Sequence, residues 1–218
     1  MTEFGLWNII YALLLAARLT IALSLAAALG GGMLGIIVLL MRMSRASALR
    51  ESARAFMTIF QSTPLLMQMF LAFFGIALFG IDVPAWVAAT TALVFWTAAF
   101  LADIWRGCVE SIPRGQFEAS SSLAMSYVQQ MRYVVLPQAM RIAIPPTVGF
   151  SVQVVKSTAL ASIVGFAEIS RTGAAIMNTT FEPLTVYCCT GAIYFAMCWT
   201  LTRISVSLER KAHVAYRN

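Results

Sequence analysis

Thr147, Ser151, Thr158 and Ser162 fall within about 60° of one another when residues 144–167 are wound as a helix. They would form a hydroxyl stripe along a segment that is otherwise mostly apolar. Such a stripe can line a wet path for a polar solute. Equally, each hydroxyl can bond its own helix backbone or a neighbouring helix. Lys156 sits opposite the stripe, with Gln153 and Ser157 between. A lysine in an apolar segment marks a functional site by default, or else pairs with a carboxylate such as Glu168. A second polar concentration is the island GQFEASSSLAMSYVQQMRYVVLP, residues 115–137, entered through Pro113. None of these residues makes a catalytic set. The chain has no phosphate-cradling glycine loop with a lysine, no HExxH, no nucleophile elbow and no intramembrane carboxylate pair. Its single histidine, His213, lies in the tail.

The elements that hold these residues must be membrane helices. Of 218 residues, 60% are hydrophobic and 11% charged, with a mean hydropathy of +0.81. A soluble domain carries about a quarter charged residues, so this chain has too little polar surface for water. A spanning helix needs about twenty mostly apolar residues. Five stretches qualify: 9–41, 57–80, 85–102, 144–167 and 186–206. The first is too long for one perpendicular crossing and must tilt or protrude. It does not read as a cleaved signal peptide, because no basic segment precedes it and Glu3 is the only early charge.

Charge placement tests the five-span count. Arg42, Arg45, Arg50 and Arg54 follow span one. Arg106, Arg114, Arg132 and Arg141 lie between spans three and four, and Arg203, Arg210, Lys211 and Arg217 end the chain. Five crossings put all twelve on one side, against Glu3, Asp82, Glu168, Glu182 and Arg171 on the other. The positive-inside rule then sets the N-terminus outside and the C-terminus in the cytoplasm. The net charge of +6 is a consequence of topology, and no nucleic-acid partner is implied. Cys108, Cys188, Cys189 and Cys198 have no metal-ligand or redox spacing and read as small apolar residues.

The chain reads as a single transmembrane domain, 1–218. Gly30, Gly31, Gly32 and Gly35 offer close helix approach, within the subunit or between subunits. Residues 44–56 predict a basic amphipathic helix suited to the anionic membrane face. Arg18, inside span one, either faces protein or water, as intramembrane charges usually do, or snorkels to the outer headgroups. Gln61-Ser62-Thr63-Pro64 predicts a kink or helix start, and Ile144-Pro145-Pro146 a stop and restart. The island predicts a helix beginning near Glu118, a turn at Ser126 and resumption toward Pro137. Residues 115–131 contain no Lys or Arg, which favours docking on a protein over lying flat on lipid.

Glu118-Ala119-Ser120, Ala124 and Val134-Val135-Leu136-Pro137 together resemble the EAA loop of bacterial ABC importer permeases. The wider resemblance is to the polar amino acid permease family. It takes in Gln61-Ser62-Thr63-Pro64-Leu65, Asp103-Ile104-Trp105-Arg106-Gly107 and Ser111 to Gln116. Leu136-Pro137-Gln138-Ala139, Lys156-Ser157-Thr158-Ala159-Leu160 and Leu208-Glu209-Arg210 complete it. The resemblance implies an all-α, polytopic fold of five transmembrane helices with a cytoplasmic coupling helix, in the bacterial inner membrane. It implies pairing with a second permease subunit, as a homodimer or heterodimer. A cytoplasmic ABC ATPase dimer would receive the loop, through Gly115, Glu118, Ala119, Ser120, Ala124, Met125 and Ser126. A periplasmic amino-acid-binding protein would deliver the substrate. Gln61, Thr63, Ser151, Lys156, Ser157 and Thr158 are then the candidate pathway residues. ATP would be bound by the partner, and no cofactor by this chain.

Two departures stand out. The loop's usual glycine is Ala124, which predicts a milder bend. Many relatives have aspartate at Ser157, so its absence points to a partner permease carrying more of the binding. Two other readings compete: a five-span scaffold whose loop binds a partner other than an ATPase, and a membrane-embedded enzyme.

Overall fold

The first apolar stretch folds as one helix, α1 (Leu6–Arg42), in the computed structural model. That model describes residues 5 to 217, with side chains to residue 210. Glu3 and the side chains of Lys211, His213 and Arg217 lie outside the described residues. At 37 residues, α1 exceeds the roughly 20 that a perpendicular crossing needs. Its glycines bring it onto α4 (Ala85–Glu110). A Cβ at Gly31 would fall 2.5 Å from Thr97 Cβ, and one at Gly35 would fall 3.2 Å from the Ala98 carbonyl. The small-residue pair therefore serves packing inside the subunit. Because these contacts advance in the same sense along both helices, α1 and α4 run parallel.

Between them, the expected span 57–80 is not one helix. α2 (Ser47–Ser62) takes up residues 47–56 of the expected basic helix and continues past them, while residues 44–46 lie in the link before it. Thr63 is extended, with φ −101° and ψ 140°, as the residue before a proline prefers. The chain then restarts as α3 (Leu65–Phe70), followed by a wide π-type turn, Leu71–Gly75. The two limbs meet at 103°. The break frees carbonyls that Gln68 recovers: its Nε2 donates to the carbonyls of Phe60 (3.0 Å) and Thr63 (3.1 Å). Gln61 Nε2 donates to the carbonyl of Ala99 on α4, 3.1 Å away.

After α4 come two short helices, α5 (Arg114–Ser122) and α6 (Tyr127–Gln130). A π-type turn, Met131–Val135, then leads into α7 (Leu136–Ser157). The stop and restart expected at Pro145-Pro146 is absent, because both prolines lie inside α7. Each removes a backbone donor. Ser205 Oγ donates to the Pro145 carbonyl at 3.0 Å, which ties the proline segment to the last helix of the chain. The chain tightens to a 3₁₀ turn at Thr158–Ser162, forms α8 (Ile169–Thr180) and ends in α9 (Pro183–Arg217).

α7 packs antiparallel to α4, with Thr147 beside Trp105 near one end and Phe150 stacked on Phe100 and Trp96 further along. It is also antiparallel to α9. One core joins Leu23, Leu65, Met69, Leu93, Trp96 and Val154. Another joins Ile9 and Leu13 to Ile169 and Val186. Three helices, α1, α4 and Pro183–Arg210 of α9, are each long and apolar enough to cross a membrane, and the bent pair α2–α3 would be a fourth.

Candidate functional site: an exposed loop and a polar groove

The loop is anchored from below and projects above. Val109, Ile112, Val135 and Ala139 form a small core on which Phe117 rests. Ser120, the third residue of the Glu-Ala-Ser string, is buried and its Oγ donates to the Phe117 carbonyl at 2.9 Å. Gly115, Glu118 and Ala119 are exposed. The helix does not run on to Ser126, and the milder bend expected at Ala124 is not found. Ala124 is left-handed, with φ 54°. The Ala124 N–H bonds the Ser121 carbonyl (2.9 Å) and the Met125 N–H bonds the Ser120 carbonyl (3.3 Å). This is a Schellman termination, which demands a left-handed residue whether or not it is glycine. Ser126 is the cap of α6, in a reciprocal box with Gln129. Gln130 Nε2 ties the turn together by donating to Ser121 Oγ and to the Met125 carbonyl.

Two large apolar residues flank the turn with little to cover them: Leu123 is 76% exposed and Val128 71%. Arg45, from the α1–α2 link, sits over the Tyr127 ring at 5.2 Å. The loop thus offers a carboxylate and two apolar knobs on a stiff turn.

The expected stripe is not on one helix, because Thr147 and Ser151 lie on α7 while Thr158 and Ser162 lie in the tighter 3₁₀ turn beyond it, and all four hydroxyls bond nearby backbone. Thr147 Oγ1 donates to the Ala143 carbonyl (2.6 Å) and accepts from Trp105 Nε1 (2.8 Å). Ser151 Oγ donates to the Thr147 carbonyl, Thr158 Oγ1 to that of Val155 and Ser162 Oγ to that of Ala159. Thr158 is fully buried and Ser157 nearly so. Thr63 Oγ1 donates to the Ile59 carbonyl on the broken helix. Of the six expected pathway residues, Lys156 lines the groove between α7 and α9 and the other five do not line that groove.

Lys156 is the exception. It is exposed, on a groove of about 780 Å³ between α7 and α9, walled by Val152, Ala159, Tyr187, Tyr194 and Trp199. It makes no ion pair with Glu168. That carboxylate is fully buried at the start of α8, where Oε1 accepts the Arg171 N–H (2.9 Å) and Oε2 accepts the Tyr194 hydroxyl (2.6 Å). Among the described residues, no three potential metal ligands cluster.

Residues 31–213 match the family model described as binding-protein-dependent transport system inner membrane component. The chain belongs to this family. It is 33% identical to a probable amino-acid ABC transporter permease protein, YckA, of Bacillus subtilis, over 88% of this chain and 85% of that protein. It is 34% identical to the octopine transport system permease protein OccM of Rhizobium meliloti, over 94% and 87%. Among solved structures, an amino acid ABC transporter crystallised with histidines superposes with a TM-score of 0.89 at 30% identity, covering 92% of this chain and 94% of that one. The methionine ABC transporter MetNI shares the fold, with a TM-score of 0.79 at 20% identity over 97% and 99%. The chain is thus a permease component of an ABC importer of the inner membrane, and ATPase activity belongs to a separate subunit.

Sequence reasoning passed over Gln68, Gln130 and Tyr194. Gln68 and Gln130 each sit one helical turn or so beyond a chain break, which is the available signal for a side chain that recovers freed carbonyls. Nothing in the sequence pairs Tyr194 with Glu168, 26 residues away.

Proposed function

We propose that this subunit carries a polar amino acid across the inner membrane by alternating access, driven by an ATPase dimer that receives the loop 115–137. The observation that carries the reading is the rigid, exposed turn at Leu123–Ser126. It is braced by the Schellman bonds and Gln130, and it presents Glu118, Leu123 and Val128 outward. A stiff lever transmits displacement, whereas a flexible loop absorbs it. Gly115, Ala119, Met125 and Ser126 complete the contact, with Ser120 holding the helix from beneath.

The proposal includes five crossings, with the N-terminus periplasmic and the C-terminus cytoplasmic. The parallel run of α1 and α4 and the antiparallel run of α7 against α4 and α9 support it, as does the arginine segregation. α7, more polar than the others, would be the crossing shielded by neighbours. Lys156 would take the substrate carboxylate. Ser151, Ser157 and Thr158 would shape α7 behind it, and Gln61 and Thr63 would fix the broken helix α2–α3 that bends as the path opens. A periplasmic binding protein and a second permease, identical or not, complete the assembly. Several relatives are named for amino acids or their derivatives, which supports this substrate class.

Reconstitution with ATPase and binding protein tests the reading. Glu118→Lys should reduce ATP-driven uptake of labelled amino acids at least about tenfold, as loss of a charged interface contact would, while the complex still co-purifies. Undiminished uptake would leave the loop as a scaffold for some other partner.

A further inference from the structure

We infer that Tyr194, oriented by the buried Glu168, forms the ammonium-binding end of the α7–α9 groove whose carboxylate end is Lys156. The inference rests on the proposed import function. Tyr194 and Ser170 line the same groove as Lys156. The phenol donates its proton to Glu168 Oε2 at 2.6 Å, so toward the groove its oxygen can only accept. Ser170 Oγ lies 3.1 Å from that oxygen. The neighbouring Thr158 hydroxyl gives its proton to the Val155 carbonyl (2.7 Å), which leaves Ser170 as the neighbour that competes with a solute for the acceptor side of the phenol oxygen.

Glu168 accepts on both oxygens, from a backbone N–H and from Tyr194, and has no exposed surface. It therefore cannot touch a solute in the groove. It acts through Tyr194 by fixing the direction of the phenolic proton and enriching the oxygen as an acceptor, an effect that is stronger where the dielectric is low. One groove thus holds an ammonium on one wall and an acceptor backed by a carboxylate on the other. The solute that complements both is a zwitterion with a free α-carboxylate and a free α-ammonium. Glu168 is a positioning residue, and Tyr194 is the contact.

Glu168 also holds the wall in place. It caps α8 through the Arg171 N–H, while Thr20 Oγ1 of α1 accepts the Ile169 N–H at 3.3 Å. One carboxylate therefore fixes the starting turn of α8 and the phenol of α9 together.

The test is equilibrium binding to the purified permease–ATPase complex without binding protein, so that only the membrane site is read. The probes are the tightest-binding of the twenty common L-amino acids, its des-amino carboxylate and its decarboxylated amine. Tyr194→Phe should weaken the amino acid and the amine by about tenfold, the loss of one hydrogen bond to a charged group. The des-amino carboxylate should bind Tyr194→Phe as it binds the parent. Lys156→Met should show the opposite pattern, losing the carboxylate and sparing the amine. Glu168→Gln should follow Tyr194→Phe more weakly, with co-purification of the ATPase checking that the buried change is tolerated. Equal losses for all three probes in Tyr194→Phe, or none, would overturn the inference. So would failure of every amino acid to bind the parent complex. ATP-driven uptake with Glu118→Lys decides the import function separately.

Discussion

Ala124 is the residue at which local propensity and tertiary demand part company. A non-glycine residue in the left-handed region costs about 1–2 kcal/mol, and Ala124 bears that cost to close the Schellman turn. Glycine should relieve it, less the entropy glycine brings from the unfolded chain. Ala124→Gly is therefore expected to raise the free energy of unfolding by about 1 kcal/mol, and β-branched Ala124→Val to lower it by at least as much. Thermal unfolding in detergent reads both. The sequence pointed to a special residue here but misjudged its conformation, because propensity ranks alanine without the bonds from Met125 and Ala124 that demand the turn. Lys156 was visible as an anomaly for the opposite reason: a charge among apolar neighbours stands out without any knowledge of what surrounds it.

At the scale of elements, close approach and chain breaks decide the architecture. α1 and α4 meet through Gly31, where an added methyl would collide with fully buried Thr97 at 2.5 Å. Gly31→Ala should destabilise the bundle by about 1–3 kcal/mol, the usual cost of overpacking. Gly32→Ala should be nearly silent, since the nearest atom to its Cβ is Trp105 Cη2 at 3.9 Å. Equal losses of thermal stability in the two variants would remove the packing account. Neighbouring glycines look alike in a string of letters, and only the facing helix separates them. The proline signals divided in the same way. Thr63-Pro64 broke its helix, with Gln68 present to recover the Phe60 carbonyl, whereas Pro145-Pro146 lie inside α7, held against α9 through Ser205. A proline states which donor is missing; the surrounding helices determine whether the chain bends.

At the scale of the whole molecule, the proposed five crossings make a prediction about sidedness. With α1, α4 and α9 running from the α8 end toward the arginine-rich end, the proposal puts the loop and the C-terminus on one side. Single cysteines placed in a cysteine-free background should report it. Ser121→Cys and Ser44→Cys are expected to react with a membrane-impermeant maleimide only from the cytoplasmic side, and Thr179→Cys only from the periplasmic side. Labelling of Thr179→Cys and Ser121→Cys from the same side would refute five crossings.

The sequence by itself determined the solvent, the all-helical class, the existence of a projecting polar loop and the family. All of these follow from composition, from the length of apolar runs and from short motifs, which are properties of neighbours along the chain. Tertiary structure decided the rest. It resolved span two into limbs meeting at 103°, and it turned the hydroxyl stripe into helix-bonded packing around a fully buried Thr158. It also brought Tyr194 and Lys156 to one groove, with Glu168 buried behind the tyrosine. These depend on which faces of distant helices meet, and a hydroxyl, a glycine or a carboxylate carries no mark in sequence of the partner it will find across that contact.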